Sequence, residues 1–114
     1  MPRAATTNEV FNAIAEPRRR QIIELLARRG QLAAGAVVVA VGLPQPAVSK
    51  HLGVLLKVGV VSVDKHGRQR VYRLNPQDFR PVYEWAKMIE QLWCHQLNRI
   101  KQRAERNAGR TSNF

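Results

Sequence analysis

Apolar residues recur at intervals of three and four along the first part of the chain: Val10, Phe11 and Ile14, then Ile22, Ile23, Leu25 and Leu26. That period predicts two amphipathic helices. Thr7 or Asn8 is placed to cap the first, and Pro17 suits the opening turn of the second, where its missing N–H costs nothing. Gly30 marks the second helix's end. The stretch from Ala33 to Val41, AAGAVVVAV, is β-branched enough for a strand, yet its length and the Gly42 that follows fit a short helix. A helix is the assignment adopted.

Beyond Gly42, the segment LPQPAVSKHLGVLLKVGVV sets Val48, Leu52, Leu55 and Leu56 on one helical stripe. The opposite face centres on Lys50, flanked by Pro46, Ala47, Gly53 and Lys57. Pro44 and Pro46 confine the start of this helix, predicted over Gln45 to Val58, because proline is tolerated in a first turn and not in an interior. VVSVDK and RQRVYRL then read as two strands joined across His66 and Gly67, a hairpin with a basic tip. Asn75 or Asp78 can start a last helix, in which Val82, Trp85, Ala86, Ile89, Leu92, Trp93, Leu97 and Ile100 keep an apolar stripe. Some two dozen helical residues span about 36 Å, more than a body of about 75 residues can shield. Trp93 and Leu97 therefore predict a second chain, most simply a twofold homodimer. From about Glu105 the sequence ERNAGRTSNF loses its period, so a domain over 1–104 followed by a frayed basic tail over 105–114 is expected.

Composition narrows the partner. The chain has 114 residues, 45% of them hydrophobic, enough for one small domain. Nineteen Lys and Arg against eight Asp and Glu leave +11, and such a balance favours a polyanion. Between Gln45 and Asn75, six cations face one Asp, a net of +5. A single cysteine, Cys94, excludes an internal disulfide and a thiolate-rich zinc cage. No apolar run reaches the roughly 18 to 20 residues that cross a bilayer, and the N-terminus lacks the pattern of a signal peptide, so no membrane role is predicted and a cytoplasmic location is expected. His51, His66 and His95 fall on three different elements, and no Ser or Cys has an obvious base nearby. No enzyme, metal site or cofactor is predicted.

Two short helices joined by a tight Gly-containing turn and followed at once by a hairpin make a winged helix-turn-helix. The predicted fold is mainly α (α+β), with about five helices and a two-stranded wing. A helix about 10 to 12 Å wide fits a major groove about 12 Å across. On its groove face Gln45 can pair with adenine, Lys50 can reach guanine or a phosphate, and Pro46 and Ala47 can touch a thymine methyl. Ser49 and His51, at the edges, suit phosphate contacts. Lys65, His66, Arg68, Gln69 and Arg70 form a finger able to follow the backbone or enter the minor groove. Arg18, Arg19 and Arg20, and the run Arg99, Lys101, Arg103, Arg106 and Arg110, read chiefly as solvated helix faces.

The string PAVSKHL, the downstream YRL and the upstream AEPRRRQIIELL together resemble the ArsR-type family of bacterial winged-helix repressors, from about Phe11 to Ile100. The resemblance implies a homodimer that sits on an operator, blocks transcription and changes grip when an effector binds; the sequence names no effector. Carried onto this chain, the recognition positions fall on Gln45, Pro46, Ala47, Ser49, Lys50 and His51, and the wing on Lys65 to Arg70. The pairing surface falls on the first and last helices, at Phe11, Ile14, Val82, Trp85, Ile89, Leu92, Trp93 and Leu97. Metal-sensing members carry paired cysteines in the helix before the recognition helix, where this chain has Ala36 to Val41 and no ligand atom. A second family site, built from Asp and His along the last helix, meets Glu84, Glu90, Cys94 and His95 here, and adjacent Cys94 and His95 diverge by about 100°. Cys94 is expected as a buried small hydrophobe near the dimer axis, with an interchain disulfide switch as the alternative. A winged protein-interaction module and a sequence-indifferent nucleoid-type binder are the competing functions.

Overall fold

The computed structural model describes residues 5–111. Its first helix, α1 (Thr7–Ala15), begins with a reciprocal cap one residue earlier than predicted: Thr6 Oγ1 accepts from the Glu9 amide and Glu9 Oε2 accepts from the Thr6 amide. The Thr-x-x-Glu spacing of a capping box was present in the sequence, and it outcompetes Thr7 and Asn8 because it satisfies two amides at once. Helix α2 (Pro17–Arg29) opens on Pro17 and ends at Gly30, whose φ of 87° suits a residue without Cβ. Glu16 caps α2 by accepting from the amides of Arg18 and Arg19.

The arginines at the start of α2 do more than face solvent. Arg19 donates from Nε to the Ala13 carbonyl and from Nη2 to Asn12 O, and Arg20 Nη1 donates to Ile14 O and Ala15 O at 2.9 and 3.0 Å. Those carbonyls end α1 and have no partner within their own helix. The two side chains therefore tie α1 to α2 at the corner. Arg18 instead turns along its own helix to Gln21.

A strand that the sequence reading did not foresee follows Gly30. Strand β1 (Gln31–Ala33) pairs antiparallel with the later strand β3, Leu32 lying opposite Tyr72. Three residues between two helices hold too few alternations to show a period of two. The Val-rich stretch is a helix as predicted, α3 (Ala34–Val41), stopped by Gly42 in the left-handed region at φ 74° and ψ 27°. Val37 is buried and Val38 and Val41 pack against the core, whereas Val39 is 84% exposed.

Helix α4 (Gln45–Lys57) buries Val48, Leu52 and Leu55. Val58, the last residue of its predicted range, serves as its C-cap. Strands β2 (Val61–His66) and β3 (Gln69–Leu74) form the wing, and β1 widens the predicted two-stranded hairpin to a three-stranded antiparallel sheet in the order β1-β3-β2. The core gathers Val10 and Ala13 of α1, Ile22 and Leu26 of α2, Val37 of α3, the α4 stripe, then Val60 from the bend before β2 and Val61 and Tyr72 from the sheet. No polar or charged side chain is buried among the described residues.

After β3, a 3₁₀ turn over Pro76–Phe79 leads into α5 (Arg80–Thr111). Phe79 and Val82 still pack on the core. The chain divides at this point, the first unit ending at Val82 and the second starting at Tyr83. The helix continues past Glu105 to Thr111, so the frayed tail expected from Glu105 is helical over 105–111; Ala104, Glu105, Arg106 and Ala108 sustain it without apolar packing. Residues 112–114 of that tail, and residues 1–4, lie outside the described residues. Among the described residues no helix is long and apolar enough to cross a membrane.

Candidate nucleic-acid interface

The turn between α3 and α4 is three residues, Gly42 to Pro44, and its stiffness comes from what those residues permit. Gly42 reverses the chain at positive φ, and Pro44 fixes the N-cap position in an extended conformation at ψ 148°. Val48, Leu52 and Leu55 then anchor α4 by its inner stripe, which dictates what faces out. Gln45, Pro46, Ser49 and Lys50 are exposed, together with Gly53 and Lys57, while Ala47 and His51 are half-buried. The outward face foreseen from the wheel is thus the face the core leaves free. No acidic residue lies in the first turn of α4, so the partial positive charge of its N-terminus is not neutralised there. His51 Nδ1 is shielded from solvent and has no hydrogen-bond partner.

The wing is set by its register. His66 pairs with Gln69, leaving Gly67 and Arg68 as a two-residue loop. Gly67 has φ 66° and no residue other than glycine has positive φ among those described, the signature of a type II′ turn with glycine first. On one face of the hairpin, Val61 lies opposite Leu74, Val63 opposite Tyr72, and Lys65 opposite Arg70. That face is apolar where it meets the core and cationic at the tip. Like charges directly opposite one another destabilise a strand pair, so Lys65 and Arg70 are kept there at a cost to the hairpin itself. Lys65, His66, Arg68, Gln69 and Arg70 are all exposed.

Of the six cations between Gln45 and Asn75, one is neutralised locally. Arg73 Nε pairs with Asp64 Oδ2 at 3.2 Å, across the hairpin face opposite to Lys65. Lys50, Lys57, Lys65, Arg68 and Arg70 have no hydrogen-bond or ion-pair partner among the described residues. The sequence sum of +5 therefore survives folding as five free cations on α4 and the wing.

The residues expected at a pairing surface divide between the units. Phe11 and Ile14 on α1 are half-buried, and Val82 packs against the core of its own chain. Trp85, Ile89, Leu92, Trp93 and Leu97 are 43–60% exposed along α5. Cys94 is exposed in the single chain. One residue past Trp93 is about 100° further round the helix, and that step carries the thiol off the apolar stripe. It shares a polar face with Lys87, Glu90 and Gln91. Among the described residues no group of three His, Cys, Asp or Glu side chains is placed to hold a metal ion.

Comparison with known proteins follows the same outline. The family of bacterial regulatory proteins called the arsR family matches residues 16–63, which run from the cap of α2 into β2. An HTH-type transcriptional regulator of Methanocaldococcus jannaschii is 34% identical over 84 residues, covering 74% of this chain and 91% of that protein. The transcriptional repressor SdpR of Bacillus subtilis is 33% identical over 78 residues, 68% of this chain and 86% of its own length. The solution structure of a homodimeric winged helix-turn-helix DNA-binding domain from Mycobacterium bovis superimposes with a TM-score of 0.61 at 28% identity, covering 74% of this chain and 77% of that one. With a Gly-Pro-stiffened turn, a cationic reading helix, a basic wing and these relatives, the chain belongs to the ArsR family of winged helix-turn-helix DNA-binding transcriptional regulators.

Proposed function

We propose that the protein is a homodimeric repressor that reads an imperfect inverted repeat in double-stranded DNA. The observation that carries this reading is the set of five cations on α4 and the wing that have no partner among the described residues, held out by the apolar core beneath them. Gln45 and Lys50 supply base-edge contacts, with Pro46 and Ala47 against a thymine methyl. Ser49 and His51 set register on phosphates, and because Nδ1 of His51 is enclosed, that contact falls to Nε2. Lys65, His66, Arg68, Gln69 and Arg70 grip the backbone beside the reading helix. The work is binding rather than catalysis, carried out in the cytoplasm and without a cofactor.

A second copy of the chain supports the reading on energetic grounds. Trp85, Ile89, Leu92, Trp93 and Leu97 are each about half exposed in the single chain, and covering what remains contributes about 1 kcal/mol apiece. A twofold partner presents two reading helices to half-sites about 10 bp or a multiple apart on one side of the duplex. The test is a footprint on the DNA flanking the protein's own gene, repeated between about 50 and 200 mM salt. Protection of a two-part site that weakens by orders of magnitude across that range is expected. Equal removal from every fragment by unrelated competitor DNA would overturn the repressor reading.

A further inference from the structure

We propose that the C-terminal half of α5 carries a second DNA surface, a ridge of Arg99, Arg103 and Arg106 that grips phosphates without reading bases; the proposal rests on the DNA-binding reading above. Steps of four and three residues at about 100° each place the three arginines within about 60° of one another on the helix. All three are exposed, and none has a hydrogen-bond or ion-pair partner among the described residues.

The ridge is not accounted for by helix stability. Like charges four apart destabilise a helix by a few tenths of a kcal/mol, and Arg99 and Arg103 stand at that spacing. Favourable interaction with the helix dipole fades within the last turn, whereas Arg99 lies about three turns before Thr111. The first half of α5 intersperses Glu84, Lys87 and Glu90, but the acid of the second half, Glu105, lies about 130° round from the ridge. Charge is thus segregated along the helix, and among the described residues the ridge has no acid on its own face of the second half.

The chemistry selects phosphate. The ridge is wholly arginine, the side chain whose planar fork matches phosphate oxygens two at a time, and Lys101 lies off it on the opposite side. Seven residues of helix span about 10 Å, over which a duplex presents roughly six phosphate charges. The ridge also lies about 90° from the centre of the apolar stripe formed by Ile89, Trp93 and Ile100. A partner covering that stripe leaves the arginines reachable by DNA flanking the operator or by a second duplex.

The test compares the full-length protein with the triple variant Arg99→Gln, Arg103→Gln, Arg106→Gln, and with the corresponding triple Lys variant. Binding is measured against salt concentration on the footprinted duplex with long flanks, and on a random-sequence duplex of the same length. The Gln variant is expected to lose about tenfold or more in affinity at low salt on both, and its salt dependence should flatten by two to three released counterions per protomer. The Lys variant should recover most of the flattening, and the footprint should stay where it is. A Gln variant with the wild-type salt slope, as an acidic protein partner for the ridge would give, overturns the proposal; so does a loss that the Lys variant fails to recover. Should the wild type leave no footprint, the repressor reading falls, while the random-sequence duplex still tests the ridge.

Discussion

Asn75 donates from Nδ2 to the carbonyl oxygen of Gly59 at 2.8 Å, joining the end of the wing to the bend that follows the reading helix. The same amide reaches Ser62 Oγ, its Oδ1 accepts from Arg73 Nη1, and the backbone N–H of Asn75 donates to Val60 O. Sequence reasoning offered Asn75 or Asp78 as the start of the last helix; Asn75 does occupy the N-cap position of the 3₁₀ turn, but it makes no side-chain cap bond there and its side chain serves as a latch instead. Asn75→Ala leaves the half-buried Gly59 carbonyl and the Arg73 guanidinium each short of a partner. A loss of about 1–3 kcal/mol is expected, visible as a lower midpoint in denaturant with an unchanged slope. An unchanged midpoint would show that the latch contributes nothing.

Gly42 and Gly35 give opposite signs for the same substitution. A Cβ at either position meets nothing within 4 Å, so crowding plays no part. Gly42 sits at φ 74°, and Gly42→Ala should cost about 1–2 kcal/mol in backbone strain, with Asn better tolerated. Gly35 lies within α3, and Gly35→Ala should stabilise by about 0.5–1 kcal/mol. Thermal unfolding of the two variants beside the wild type decides the matter.

These positions show which parts of the fold were legible in the sequence. Pro17, Gly30 and Gly42 act through local backbone preference, and the stripe Val48, Leu52 and Leu55 through a period that one helix displays by itself; each emerged in the structure where the residues pointed. What stayed hidden depends on partners distant in sequence. Strand β1 exists because Leu32 meets Tyr72, forty residues on, and Asn75 latches because Gly59 comes within reach. Arg19 and Arg20 resemble any solvated helix start until the end of α1 is brought beside them. At the candidate site the exposed face of α4 was legible because it is the complement of the core stripe. That Arg73 is spent on Asp64, leaving five free cations, was not.

Base-reading and backbone contacts separate by mutation. Lys50 projects from the middle of the exposed face of α4, and Arg68 sits at the tip of the wing. Lys50→Ala should narrow the difference between the operator and altered operators by about 1–3 kcal/mol at the affected base pair. Arg68→Ala should weaken every sequence alike and lower the salt dependence by about one counterion per protomer. Titrations of operator and scrambled duplexes at three salt concentrations check both, and a uniform effect of Lys50→Ala would move that residue to the phosphate class.

The apolar stripe of α5 makes assembly and DNA binding rise and fall together. Trp93 is 60% exposed and Leu97 is 44% exposed, one turn apart on the helix that makes up the described part of its unit. Trp93→Glu places a charge in the proposed interface, where leaving it unpaired costs several kcal/mol, while in the single chain the same side chain stands in water. The variant should therefore fold with a normal helical signal at low concentration yet sediment as a monomer where the wild type is a dimer. Operator affinity should drop by at least a hundredfold, because each protomer then pays separately for its own half-site, while binding to a single half-site stays within a few-fold of wild type. Sedimentation equilibrium of both proteins, followed by titration of whole and half operators, tests the link. A Trp93→Glu variant that remains dimeric would remove α5 from the interface, and a monomeric variant with full operator affinity would show that one copy suffices to read the site.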